Sequence, residues 1–280
     1  MKYAFFGTAG FSAIVLNRLI EAGFKPALVV CNPDKPVGRK KTITPPPVKL
    51  IALKNGLKVW QPVKPDIDGW RKEAGEVDFA LDVAYARIIP QGIVEAPRLG
   101  VIGVHPSILP QFRGPSPIQS VILAGKSKTG TTLFLLDDQM DHGAVIARAE
   151  LEEDISRINY PELSDKLARL SAGLLIKDLP DYLAGKTISR VQDESLVSIT
   201  HKFKTEDGFV SSETLEAALN GQSETDAREI DRKIRALNPE PGIYTIRDGK
   251  RIKLIKAEIK DGKLKLLEIQ KEGKKSTRLS

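Results

Sequence analysis

VIGVHPSILPQFRGPSPIQ, Val101 to Gln119, sets one histidine between an apolar run and a series of prolines, glycines and one arginine. An apolar run that stops at His105 before Pro106 reads as a buried strand delivering its last side chain to the sheet edge, because Pro106 cannot donate the next ladder hydrogen bond. Ligands in open α/β sheets sit at such edges. Taken alone, a histidine there is more often a core ring bonded to nearby backbone. The surrounding sequence decides between the two.

On the N-terminal side, short apolar runs alternate with helical patterns. KYAFFG (2–7) reads as a strand, FSAIVLNRLIEAG (11–23) as a helix closed by Gly23, and PALVVC (26–31) as a second strand. A Pro/Lys-rich loop and a helical VKLIALKNG (48–56) lead to DFALDVAY (78–85), another buried strand, and a short helix over 91–95 precedes the opening stretch. On its C-terminal side SPIQSVILAG (116–125) reads as a helix. This alternation predicts an α/β domain: a Rossmann-like, mainly parallel sheet with helices on both faces. TTLFLLD (131–137) and AVIARAELE (144–152) read as two strands joined across DQMDHG, followed by a long amphipathic helix over 161–185 that is expected to break before Pro180.

The texture changes after about Thr187. A polar, linker-like stretch gives way to two helical patterns, SETLEAALNG (212–221) and ETDAREIDRKIRALN (224–238). Short strands follow, with hairpin turns at RDGK (247–250) and KDGK (260–263), where Asp-Gly supplies the positive φ values a tight turn requires. The expected domains are 1–200 and 201–280, with the boundary near 195–210.

Composition narrows the classes. A chain of 280 residues with 41% hydrophobic content suits one large and one small globular domain. No apolar run reaches the roughly 18 residues of a membrane span, and MKYAFFGTAG lacks a signal-peptide core, so a cytoplasmic location and no membrane partner are expected. One cysteine, Cys31, and three scattered histidines offer neither an internal disulfide nor a zinc cluster, so no metal is expected. Cys31 ends an apolar run and reads as a buried small hydrophobe. GTAGF (7–11) lacks the spacing of a dinucleotide fingerprint. The net charge is +7, and residues 241–280 alone hold 12 Lys/Arg against 5 Asp/Glu, so the basicity is local and points to a polyanion such as nucleic acid.

Several stretches, in this order, resemble the methionyl-tRNA formyltransferase family within the 10-formyltetrahydrofolate-dependent formyltransferases. They are FFGTAGF near the start, NPDKPVGRKKTITPPPVK at 32–49, VAYARIIP at 83–90, HPSILPQFRGPSPIQ at 105–119, MDHG at 140–143 and IRALNPEPGIYT at 234–245. The resemblance implies an enzyme that transfers a formyl group from 10-formyltetrahydrofolate, a co-substrate, to the α-amine of methionyl initiator tRNA in translation initiation. It implies a C-terminal OB-like β-barrel, abbreviated here, that binds tRNA.

The family's active site, an Asn-x-His pair and a later Asp, maps onto Gly103, His105 and Asp141. A histidine suits removal of the amine proton, and a carboxylate orients or charges the imidazole. The folate pocket maps onto Tyr85, Ile88, Pro90, Ser107, Leu109, Pro110 and Asp138, and the tRNA contacts onto Arg39, Lys40 and Lys41 and, in the tail, Lys250, Arg251 and Lys253. His142 is expected to be exposed. Gly103 departs from the family's amide. Loss of one oxyanion donor typically costs on the order of 10²–10³ in rate, and Gly103→Asn, on the same side of the strand as His105, is expected to restore it. The alternatives are a sugar-amine N-formyltransferase and a catalytically impaired tRNA-binding homologue. A monomer is expected.

Overall fold

Continuous apolar runs become the interior strands of a sheet buried on both faces. In the computed structural model, which describes residues 1–38 and 40–279, Tyr3–Gly7 (β1) is buried at every position and Gly10–Glu21 (α1) sends Val15, Leu16 and Leu19 into the core. Burial of each such side chain contributes about 1.5–3 kcal/mol. There follow Leu28–Val30 (β2), a hairpin of Lys35–Val37 (β3) and Thr42–Thr44 (β4), Pro47–Lys54 (α2), Val59–Trp60 (β5) and Ile67–Ala74 (α3). Next come Phe79–Val83 (β6), Gln91–Val94 (α4), Val101–His105 (β7), Pro117–Leu123 (α5), Gly130–Leu135 (β8), Val145–Glu150 (β9) and Tyr160–Leu183 (α6).

Among the described residues the large sheet has seven strands in the order β5-β2-β1-β6-β7-β8-β9. The first five are mutually parallel, whereas β8 and β9 run antiparallel, β8 against β7 and β9 against β8. The register aligns Phe6, Asp82, Gly103 and Phe134 across four adjacent strands. Paired residues share a face, and so does His105, two residues beyond Gly103. Behind that row Phe6 stacks on Trp70 at 5.4 Å and meets the Tyr85 ring at 5.3 Å.

The chain divides into two compact units, Met1–Pro115 with Thr129–Glu152 and Ser164–Ile199, and Ser116–Lys128 with Glu153–Leu163 and Thr200–Ser280. In the second, Ser212–Asn220 (α7) and Glu224–Leu237 (α8) are capped by Ser211 and Ser223, whose hydroxyls accept from the third residue on. Ala227, Ile230, Ile234 and Leu237 form the buried stripe of α8. Ile243–Arg247 (β10), Lys250–Lys260 (β11), Lys263–Lys271 (β12) and Thr277–Arg278 (β13) make an antiparallel sheet in chain order, the form taken by the expected OB-like domain. Both Asp-Gly turns have two positive φ values, 51° and 70° at Asp248–Gly249 and 50° and 76° at Asp261–Gly262. No helix among the described residues is long and apolar enough to cross a membrane.

Two local expectations fail. α6 runs through Pro180 to Leu183. The proline removes one ladder donor, but buried Leu174, Leu175 and Leu179 hold the turns before it in the core, and beyond it the Ala184 N–H donates to the Pro180 carbonyl at 3.0 Å. The loop at 32–49 contains the β3–β4 hairpin, whose six residues are exposed, so no burial pattern marks it in the sequence.

Candidate active site

His105 ends β7 with 5% of its surface exposed. Its Nε2 lies 2.8 Å from the carbonyl oxygen of Phe112. A carbonyl only accepts, so Nε2 carries the hydrogen and Nδ1 keeps the lone pair. Nδ1 is 3.6 Å from Asp141 Oδ2, beyond a direct hydrogen bond, and that oxygen accepts from the Gly114 N–H at 2.7 Å. The lone-pair nitrogen therefore faces a carboxylate across a gap. Phe112 and Asp141 hold positive φ of 61° and 51°, as do Ala84 and Ala86 after β6, at 51° and 62°. Such conformations cost about 1–3 kcal/mol each and persist where surrounding bonds enforce them.

The enforcing bonds come from 190–199. The Gln192 amide donates to the carbonyls of Asp141, His142 and Gly143 at 2.8–2.9 Å, while its oxygen accepts from Arg113 Nε and Nη2 at 3.1 and 3.0 Å. Arg113, 5% exposed, also forks onto Glu194 at 2.6 and 3.2 Å and holds that carboxyl below its usual range. Ser198 accepts from the Phe112 and Arg113 N–H groups, through its hydroxyl at 2.8 Å and its carbonyl at 2.9 Å. The loops carrying the two partners of His105 are thus tied together through one glutamine and one arginine. The sequence reading passed over Gln192 and Glu194 as linker, because their partners lie some 50 to 80 residues away and leave no local pattern.

Residues 1–178 match the sequence model of the formyl transferase family, and residues 224–263 match that of the formyl transferase C-terminal domain. The chain belongs to the formyl transferase family. It is 40% identical over 256 residues to a methionyl-tRNA formyltransferase of Bacillus cytotoxicus, covering 91% of this chain and 78% of that one. Its fold is shared with a methionyl-tRNA formyltransferase structure from Clostridium thermocellum (TM-score 0.62, 16% identity, 97% and 98% of the two chains). An N-formyltransferase from Helicobacter canadensis, in complex with folinic acid and dTDP-3-aminofucose, shares it too (TM-score 0.62, 19% identity, 93% and 88%).

This formyltransferase places its other sequence-predicted site residues unevenly. Ser107 and Leu109 are fully buried and Pro110 is buried; Ser107 donates to the Gln111 carbonyl at 2.6 Å, and Leu109 packs with Phe134. Tyr85 turns its ring into the core, where its hydroxyl has no partner among the described residues, while Pro90 is half-buried, Ile88 is 90% exposed and Asp138 is exposed. His142 is not exposed as expected. It is half-buried, with Nδ1 2.6 Å from Asp137 Oδ2, because the Asp141 turn folds it back onto its own loop. Cys31 is fully buried, and burial pushes its thiol up to about 11. Lys40 and Lys41 are exposed in the β3–β4 turn; Arg39 lies outside the described residues. Arg251 and Lys253 alternate with buried Leu254 on β11, and Lys250 is exposed at the β10–β11 turn.

Gly103 has no space for a side chain. A Cβ there would lie 2.5 Å from Phe134 Cζ and 2.7 Å from Leu136 Cδ1, so the slot beside His105 is filled from β8. Gly103→Asn can therefore present a donor only where the ends of the Phe134 and Leu136 side chains move aside. On the adjoining strand Asp82, which sequence reading took as part of an apolar run, accepts from the Tyr85 N–H at 3.2 Å. Desolvation between apolar neighbours pushes its carboxyl up to about 7 against the pull of that N–H, and the charge of Asp141 adds to the rise.

Proposed function

We propose that this formyltransferase transfers the formyl group of 10-formyltetrahydrofolate to the α-amine of methionyl initiator tRNA. The carrying observation is the His105 ring, fixed by the Phe112 carbonyl so that Nδ1 faces Asp141 at the open end of β7. When bound, the co-substrate supplies an activated one-carbon unit. His105 Nδ1 takes the proton that the amine loses, Asp141 stabilises the resulting imidazolium, and the same nitrogen returns the proton to the departing amine. A folate ring fits the loop after β6, where Ile88 stands open beside the left-handed backbone of Ala84 and Ala86, offering an apolar contact next to exposed backbone polar groups. We assign residues 1–200 to catalysis and 201–280 to tRNA, supported by the basic tail and by 40% identity to a named methionyl-tRNA enzyme.

A single-turnover assay of N-formylmethionyl-tRNA formation tests this reading, and folded protein that yields no product refutes it. The rival acceptor is an amino-sugar nucleotide, favoured by the likeness to the Helicobacter canadensis structure. A steep fall of acceptor affinity with salt separates the two, since only the RNA displaces many condensed counterions.

A further inference from the structure

The row Phe6, Asp82, Gly103 and Phe134 holds one polar side chain among apolar or absent ones. Formyl transfer places negative charge on the formyl oxygen as the new C–N bond forms, and that charge needs a donor aimed from a water-poor wall. Gly103 carries no side chain, and the Gly114 and Phe112 N–H groups are already given to Asp141 and Ser198. We infer that the carboxylic acid of Asp82 is a catalytic residue of the proposed formyl transfer, donating the hydrogen bond that holds the developing oxyanion beside His105.

Register puts Asp82 on the His105 face, one strand over and one residue pair before the edge. Its Oδ1 is engaged by the Tyr85 N–H, which leaves Oδ2 to carry the proton. Desolvation beside the Phe6 ring of β1 disfavours its anion, as does the charge of Asp141, so the acid form persists toward neutrality. The charged and titratable groups that act on it are Asp141 and the Tyr85 hydroxyl, and His105 lies on the same face two residues beyond its partner Gly103.

The amine lone pair forms the new C–N bond while the C=O π pair moves onto oxygen, held by the Asp82 O–H. The C=O bond then re-forms as the bond from the formyl carbon to the donor nitrogen breaks, and the proton that His105 took from the amine goes to that nitrogen. Asp82 keeps its own proton, and no oxidant or reductant is needed. A neutral aspartic acid donating to an oxyanion from an apolar site has a precedent in ketosteroid isomerase.

The inference rests on the proposed reaction but is tested apart from its acceptor. Asp82→Leu, which keeps volume and removes the donor, should lower kcat by about 10²–10³ while leaving affinity for 5-formyltetrahydrofolate unchanged. Asp82→Asn, which retains an N–H donor, should stay within about tenfold of wild type and should lose the fall in rate that deprotonation of the acid imposes above pH 7. Infrared difference spectra, wild type minus Asp82→Asn at pH 6, should show a protonated carboxylic acid band that fades on alkaline titration. Folded Asp82→Leu at wild-type rate, or no acid band at pH 6, overturns the assignment. Wild-type protein inert on methionyl-tRNA but active on an amino-sugar nucleotide overturns the acceptor instead, and the variants then decide Asp82 on that amine.

Discussion

At the end of β7, His105 is 5% exposed and each of its ring nitrogens faces one defined oxygen, with three more residues, Arg113, Gln192 and Glu194, fixing the loops that supply them. On the outer face of β10 and β11, Arg251 lies 3.5 Å over the Tyr244 ring, Lys253 pairs across from Tyr244, and the partly exposed Phe209 ring sits 5.6 Å from Tyr244. Thr245 and Leu254 turn the other way into the core. The first region is over-determined by hydrogen bonds and holds strained backbone; the second is a row of charge and ring faces on a regular ladder. Chemistry on one carbon atom needs position to a fraction of an ångström, whereas a phosphate chain needs charge density and stackable surface. Substitutions should therefore act in large, discontinuous steps in the first region and in small, additive ones in the second.

The largest step is expected at the histidine itself. His105→Ala should lower kcat about 10³-fold, within the usual range for a lost general base, with Asp141→Asn comparable because the amide no longer attracts the proton to Nδ1. Both variants should melt near wild type by circular dichroism, and retention of full rate by either one would remove the catalytic assignment. Gly103→Asn comes next and acts on packing. Forcing a side chain against Phe134 and Leu136 should destabilise the fold by about 1–3 kcal/mol with no gain in kcat. Pairing it with Phe134→Leu should recover part of the melting temperature. A stable, faster Gly103→Asn would show that Phe134 yields freely and that the slot is open.

Gln192→Leu probes the ties without touching the reacting groups. Leaving the Arg113 head and three carbonyls short of partners should cost about 1–3 kcal/mol. If the strained Asp141 turn relaxes with it, kcat should fall about tenfold, the size of a 1.4 kcal/mol loss in positioning, while KM for folate holds. A melting loss with unchanged kcat would mean that Gln192 stabilises the fold without positioning Asp141.

What the sequence showed of these regions follows the range of the interactions involved. The end of β7 was legible because the apolar run, the His and the Pro are contiguous, and the Asp248–Gly249 and Asp261–Gly262 turns were legible because their φ requirement is local. Gln192 was not, since it works through partners in two distant loops. The filled slot at Gly103 depends on how Phe134 packs across from β8, which no period in the sequence encodes. Asp82 did leave a mark, a lone carboxylate inside DFALDVAY, but an alternating or buried strand tolerates one such residue, and only register sets it beside Gly103. Pro180 shows the reverse failure: a strong local breaker overruled by the burial of Leu174, Leu175 and Leu179 in the turns that lead into it.

The smallest effects belong to the basic face, and there the number of charges matters more than which residue carries them. Lys40 and Lys41 stand exposed in the β3–β4 turn beside Val37 and Ile43, themselves 56% and 62% exposed, and Lys250, Arg251 and Lys253 line the β10–β11 hairpin. Each phosphate contact removed should lower the slope of log affinity against log salt by about 0.7–0.9, depending on whether the contacted RNA is single- or double-stranded. Neutralising Lys250, Arg251 and Lys253 together should then flatten the slope by about 2–3, with kcat at saturating tRNA unchanged, since none of them belongs to the set around His105. Arg251 carries a further term: removing it also uncovers the Tyr244 ring, so Arg251→Gln alone should lower affinity even at high salt, where Lys253→Gln alone should not. Filter binding across a salt series measures both quantities. An unchanged slope in the triple variant would reduce this face to solvated charge. Equal high-salt affinities for the two single variants would mean that the Arg251–Tyr244 stack supports the fold and makes no contact with RNA.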